Sequence, residues 1–450
     1  MKRLLLGLSM ICILLSGCNR HESQIQKGTV GTNVSGEFTN EVSVSQPDKQ
    51  EKQEITLAFL YEDSQMQAII EDFNVQSQEY QVNFVTYVKP GEMALGKVEE
   101  IESELKKGNG PDILHAGMVD LDAYVKKGYL QSLDGVVQEE LFLQAAVETG
   151  KYKGVIYGIP YAFTPVTLMV SEELAAGKDT WTLQEMMETI KDSGAKKFMC
   201  GCDGVAIINY CALAGRGEEA FINWEENVCD FDNSDFCELL EFARDYADIH
   251  MADPNKGNAI QKGEVAAMCR RVLSLLEMNY YDAVFENQTN YIGFPCEQGK
   301  TNYVEAQCLY MNANSTKKEG VEAFLKFLLS EETQNEQMDM LLTSFGARGP
   351  FSVRLSSIDY YIESQKANHK GDKAWEQGSD GINFYYSAMT EIQEKQFREI
   401  LEHCIPVDEK RRDINSIVEE VTAAFFEGEQ SAEYVAGKLQ SAIQEYLNQY

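Results

Sequence analysis

Seventy-two carboxylates against only five histidines set the chemistry open to this 450-residue chain. His21, His115, His250, His369 and His403 stand far apart, and no H-E-x-x-H, G-x-S-x-G or phosphate-loop pattern occurs. A glycosidase needs only two carboxylates, and a Cys–His pair needs no fixed spacing, so a hydrolase stays among the readings. Cys200-Gly201-Cys202 is a C-x-C step, not the C-x-x-C of zinc and redox sites, and no second cluster sits at metal spacing. The residues therefore imply no metal and no cofactor. Of the eleven cysteines, Cys12 and Cys18 belong to the N-terminal segment, which leaves an odd number that cannot all pair. They sit in apolar stretches such as "VEAQCLYM" and "FCELLEF", where Cys packs as a small hydrophobe. A disulfide from Cys229 to Cys237 or from Cys202 to Cys211 stays open. The formal charge of −33 repels phosphate backbones, which excludes nucleic acid as a partner, and gives no pull toward anionic lipid. A neutral or cationic ligand suits that field.

The N-terminus carries a different chemistry. Met1-Lys2-Arg3 precedes an apolar run from Leu4 to Leu15, too short to span a bilayer and right for the h-region of a signal peptide. The chain is expected to be exported, where nine free thiols suit a reducing habitat. The run ends in Leu15-Ser16-Gly17-Cys18, which resembles a bacterial lipobox. That resemblance implies removal of residues 1–17 and acylation of Cys18, and two or more acyl chains anchor a protein firmly where one does not. Residues 19–54 are rich in Ser, Thr, Gln, Glu, Asn and Gly, and read with Cys18 as a lipidated, flexible tether over 18–54. At about 5–6 Å × √n, its mean reach is roughly 30–36 Å.

The elements beyond it must position any site. "EITLAFLY" reads as a strand, Met66, Ile69, Ile70 and Phe73 as the apolar face of a helix, and "YQVNFVTYV" as a second strand. "KVEEIESELKKGNG" reads as a helix ending in Gly, and "PDILHAG" as a buried strand. This β-α-β-α-β order implies a parallel sheet with crossover helices. "GVIYGIPYAFTPVTLMVSEEL" reads as an extended stretch broken by Pro160 and Pro165. Thr182-x-x-Glu185 forms a capping box before Met186, Met187 and Ile190. "EAQCLYMNAN" is a strand, Val321, Phe324, Leu325 and Leu328 line one helix face, and Val435, Leu439, Ile443 and Leu447 stripe a C-terminal helix. The fold class is α/β.

Taken in order, Cys18, "GNGPDILHAG", "YGIPYAF", the capped "TWTLQEM" helix and "NSTKKEGVEAFLKFLLSEETQ" resemble the extracellular solute-binding proteins of ABC transporters, family 1, the carbohydrate-binding group. The likeness runs from about residue 55 to 450. It implies a two-lobed periplasmic-binding-protein fold of type II, with lobe 1 at 55–163 plus 311–350 and lobe 2 at 164–310 plus 351–450. Chain crossings are implied near Phe163 to Val166, Val304 to Met311 and Ser344 to Val353. The implied function is capture of a carbohydrate, an oligosaccharide or modified sugar, by a monomer that delivers it to a permease and touches the membrane through its lipid alone. The same fold carrying a peptide or polyamine is the nearest alternative, and an exported hydrolase the next.

Open parallel sheets bind ligands beyond the carboxyl ends of their strands. That points to Tyr61-Glu62-Asp63, His115-Ala116-Gly117 and the stretch from Tyr161 to Thr164. Sugars need aromatic plates and bidentate polar groups. The candidates are Tyr61 and Asp63 after the first strand, Phe163 at the first crossing, and Asn209 with Tyr210, which fall where the family places a cleft aromatic. Trp375 lies in an irregular stretch that relatives bring to the cleft. After "GEVAAM" the family has Gly and a stacking Trp, whereas this chain reads "CRRVLSLL". Arg271 thus replaces a plate with a cation, which either is solvated or paired with one of the many acids, or bonds ligand hydroxyls or a carboxylate.

Overall fold

The computed structural model describes residues 51–213, 217–248, 256–286, 289–297, 299–342, 348–368, 374–378, 381–407 and 410–449. The signal segment, Cys18 and the tether up to residue 50 lie outside them. The tether expected through Glu54 ends earlier, because Gln53 and Glu54 already pair in the first strand.

β1 (Gln53–Phe59) leads into α1 (Ser64–Gln76), which buries Met66, Ile69, Ile70 and Phe73 as its spacing requires and is capped by the Asp63 carboxylate on the Met66 N–H at 2.8 Å. β2 (Tyr80–Thr86) and β3 (Ile113–His115) pair parallel to β1, with α2 (Lys97–Lys106) as a crossover. β4 (Gly158–Ser171) is next, then α3 (Leu183–Ser193), β5 (Lys197–Met199), α4 (Gly204–Ile208) and β6 (Val265–Arg271). The capping box of α3 forms, Thr182 and Glu185 each bonding the other's backbone N–H. β7 (Thr289–Asn290) and β8 (Asn302–Met311) follow, then α5 (Lys318–Leu328), α6 (Glu331–Leu342), β9 (Phe351–Ser352), α7 (Leu355–Asn368), β10 (Cys404–Pro406), α8 (Lys410–Phe426) and α9 (Ala432–Leu447).

One ten-stranded sheet runs in the order β2-β1-β3-β8-β4-β6-β5, with β7 and β9 also on β4 and β10 on β8. β8 is antiparallel to β3 through Leu309–Met311 and parallel to β10 through Asn302–Val304. β4 lies antiparallel to β8 along Gly158–Val166, and to β6 along Val166–Val170. Both long strands therefore serve two sets of neighbours, the crossings that the sequence implied near Phe163 and Val304. β9 pairs with Phe163 and Ala162 at the third, while residues 343–347 of that stretch lie outside the described set.

The stretch expected to break at its prolines is instead one continuous strand, buried from Gly158 to Val170. Proline lacks only a donor, and is tolerated in a sheet where the ladder is irregular. Pro160 adjoins a register shift at Gln307/Cys308, and Pro165 stands just before β6 begins to pair at Val166. Alternation along β4 then feeds two cores. Phe163 and Met169 join one with β1, α1, α5 and α6; Val166, Leu168 and Val170 join the other with α3 and α9. Ile358, Tyr361 and Ile362 of α7 share the first core with Met338 and Leu341 of α6.

None of the nine cysteines of the folded body is in a disulfide, so neither Cys229–Cys237 nor Cys202–Cys211 is joined. Burial pushes the thiols of Cys211, Cys237, Cys269 and Cys404 up, and that of Cys229 to about 11, which keeps them unreactive.

Gly150 packs where β4 begins: its carbonyl accepts from the Tyr157 and Gly158 N–H groups at 3.0 and 2.9 Å. A Cβ there would stand 1.9 Å from the Gly158 carbonyl oxygen. Gly150→Ala is expected to cost about 1–3 kcal/mol through overpacking against backbone, read as a lowered urea midpoint.

Candidate functional site

Position by position, β8 shows what faces the region between the crossings. Tyr303 and Arg271 both pair with Val166, and Glu305 pairs with Thr164. Side chains two apart share a face, so Tyr303, Glu305 and Arg271 stand together over β4. Arg271 donates from Nε to Glu305 Oε2 at 2.5 Å and from Nη2 to Oε1 at 2.7 Å, a bidentate pair that reaches across the central strand. The pair holds the guanidinium well above its usual range. Both side chains are partly exposed, at 61% and 38%, so the pair adds only about 0–1 kcal/mol to stability. The cation that replaces the family's aromatic plate is thus already matched by a carboxylate.

Against this face stands the end of α4, which runs into one π turn at Asn209–Leu213. Such turns shift a helix register and recur at functional sites. Tyr210 stacks on Phe294 at 5.5 Å with planes 12° apart, and Phe294 meets Tyr303 at 5.3 Å, forming an aromatic column. The Tyr210 hydroxyl shares hydrogen bonds with Cys269 and Tyr303; the neighbouring Cys269 thiol, then burial, hold it well above the usual phenol range. Asn209, Tyr210, Tyr303, Glu305 and Asn415 line one cavity of about 310 Å³. Asn209 Oδ1 and Asn415 Oδ1 are buried there without a partner among the described residues. Buried polar atoms are normally bonded, so both carbonyls await a donor from outside the chain.

A larger cavity of about 420 Å³ opens at the far end of β4, between Ser171, Ser193, Val265 and Phe285. None of the residues singled out from the sequence lines it. A third, of about 60 Å³, lies on the other side of the crossings between Asp63, Tyr161, Gln307 and Gln337.

The structure therefore brings Asn209 and Tyr210 together, with Arg271 joined to them through Glu305. Asp63 lines the small cavity while capping α1, and Tyr61 stands half exposed nearby in sequence. Phe163 is corrected: it is fully buried, its ring 5.8 Å from Phe351, because its position on β4 points it into the first core. Trp375 lies on a short strand, Ala374–Gln377, paired with Asn383–Tyr386; its side chain is outside the described residues. Sequence reasoning missed Tyr303, Glu305 and Gln307, although polar or amphipathic residues alternate there in an otherwise apolar strand. Asn415, mid-helix, carried no such signal.

Comparison with known proteins follows the same lines. A family model described as bacterial extracellular solute-binding protein matches residues 68–350. Comparison with curated proteins gives no match. Among solved structures, the sugar-binding protein MalE from Xanthomonas citri is similar at 13% identity and a TM-score of 0.61, covering 88% of this chain and 98% of that one. The cyclic α-maltosyl-1,6-maltose binding protein of Arthrobacter globiformis reaches 0.58 at 13%, covering 89% and 100%. The GacH receptor of Streptomyces glaucescens, solved unliganded and with acarbose, reaches 0.55 at 17%, covering 89% and 100%. The fold is that of the two-lobed binding proteins.

His115 ends β3 on the small-cavity side, stacked on Phe59 at 4.1 Å, with Nδ1 accepting from the Gly117 N–H. Burial lowers its pKa to about 4. The unfolded chain, with a pKa near 6.5, binds the proton more readily, so this residue's stabilisation is present above pH 6.5 and is lost as pH falls toward 4. Between pH 7 and pH 4.5 the wild type is expected to lose more of its urea midpoint than His115→Asn.

Proposed function

The chain belongs to the bacterial extracellular solute-binding protein family, and on that footing we propose that it is the carbohydrate receptor of an ABC importer, anchored outside the cytoplasmic membrane. The carrying observation is the cavity at the crossings, where an aromatic column stands beside two unpartnered amide oxygens. An aromatic face suits the C–H face of a sugar ring, and free acceptors suit its hydroxyls. The likeness in fold to sugar-binding proteins supports the same reading.

In this reading the lobes of 55–163 plus 311–350 and 164–310 plus 351–450 close over the ligand. Contacts formed on both lobes at once shift an open–closed equilibrium. The long strands β4 and β8 are suited to that motion, since a few φ/ψ changes within them turn a whole lobe. The protein performs no chemistry on its ligand and hands it, as a monomer, to the permease. Arg271, neutralised by Glu305, sets a hydroxyl-bearing ligand ahead of an acidic one.

A ligand that binds only the folded state raises its melting temperature. Mono- and oligosaccharides are expected to do so, with amino acids, peptides and polyamines silent; the reverse pattern overturns the carbohydrate assignment. Tyr210→Ala is expected to weaken the effective sugar by roughly 2- to 12-fold in titration calorimetry, as loss of an aromatic contact costs about 0.5–1.5 kcal/mol.

Anchoring rests on Cys18. Cys18→Ser is expected to move the protein from the membrane fraction to the medium or periplasm and to abolish palmitate labelling. Retention in the membrane without label would remove the anchor from this account.

A further inference from the structure

Tyr161 occupies an unusual place in the crossing. Along β4 and β8 the register runs Ala306 with Phe163 and Gln307 with Ala162, then shifts so that Cys308 meets Pro160. Tyr161 is the extra residue of a β-bulge, and bulges re-aim a side chain out of its ladder position. The residue is only 5% exposed, yet its hydroxyl has no hydrogen-bond partner among the described residues. The small cavity beside it is lined by Asp63, Gln307 and Gln337 as well as Tyr161. Its volume of about 60 Å³ holds one or two water-sized groups. The Tyr161 backbone is fixed from behind: Gln334 donates to its carbonyl at 3.2 Å and to Gln337 Oε1 at 3.3 Å, while Ser352 bonds Gln334 in turn. A buried phenol held this firmly, and left unpaired, is placed for something that enters.

We propose that the Tyr161 hydroxyl, with Asp63, Gln307 and Gln337, forms a second subsite that takes a single hydroxyl group of the bound ligand. The proposal rests on the carbohydrate reading above and adds a specificity contact that reading did not contain. Gln307 of this socket and Glu305 of the Tyr210 cavity are two residues apart on one face of β8, about 7 Å along the strand. A ligand filling both must reach that far, which selects a polyhydroxylated chain or ring with an exocyclic hydroxyl over a compact polyol.

The test compares wild type with Tyr161→Phe on a fixed panel of maltose, maltotriose, cellobiose, N,N′-diacetylchitobiose and glycerol, by titration calorimetry and melting. Tyr161→Phe removes only an unpaired hydroxyl, so it is expected to melt at or above wild type. Its affinity for the best disaccharide or trisaccharide is expected to fall roughly 5- to 10-fold, the loss of one net hydrogen bond. Gln307→Met is expected to produce a loss in the same range. Equal affinity of Tyr161→Phe and wild type for a sugar that wild type binds shows that the socket holds water only and overturns the subsite alone. A lowered melting temperature with unchanged affinity overturns it likewise, giving the hydroxyl a structural role. Absence of binding by wild type to every sugar of the panel overturns the carbohydrate reading and the socket together.

Discussion

A strand buried on both faces has no solvent to satisfy its backbone and no spare side for polar residues, and β4 is such a strand from Gly158 to Val170. Every N–H and C=O it carries must find a neighbouring strand. It finds β8 along its first half, β6 along its second, and the short β7 and β9 at its flanks. The two cores form because side chains alternate across this strand. What joins the body is thus not a linker but the most deeply paired element of the fold, and the candidate sites flank it, where residues of its two sets of partner strands come within reach of each other.

The polar residues over that strand follow from the same constraint. Arg271 and Glu305, both partly exposed, match each other across β4 in a bidentate fork. Tyr303 and Tyr210 satisfy one another and Cys269, while Asn209, Asn415 and Tyr161 each keep an atom unpaired among the described residues. Paired groups are settled by the chain itself; unpaired ones mark where the chain is incomplete by its own hydrogen-bond accounting. The two kinds stand side by side at the crossings.

Much of this was legible in the sequence. The helix spacing of Met66, Ile69, Ile70 and Phe73, the Thr182–Glu185 box and the stripe ending at Leu447 are local patterns, and local patterns survive folding. Asn209 and Tyr210 were placed by resemblance and do share a cavity. The misreadings have a common cause. Pro160 and Pro165 signal a break when only propensity is weighed, because their tolerance depends on where partner strands begin and shift. Phe163 was assigned to the ligand because a crossing implies a cleft, but which face a strand residue takes is decided by register. Glu305 was passed over and Tyr161 was named only as one end of the stretch to Thr164, because an ion pair to Arg271 and a bulge beside Cys308 are properties of two strands, visible in neither alone.

The free thiols carry a consequence of their own. With no covalent cross-link in the folded body, its shape depends on cores and ladders alone, and no oxidising catalyst is needed to complete it after export. Cys200, Cys202, Cys211, Cys296, Cys308 and Cys404 are buried, and Cys229, Cys237 and Cys269 partly so. The folded body therefore reaches its structure without a thiol-oxidation step.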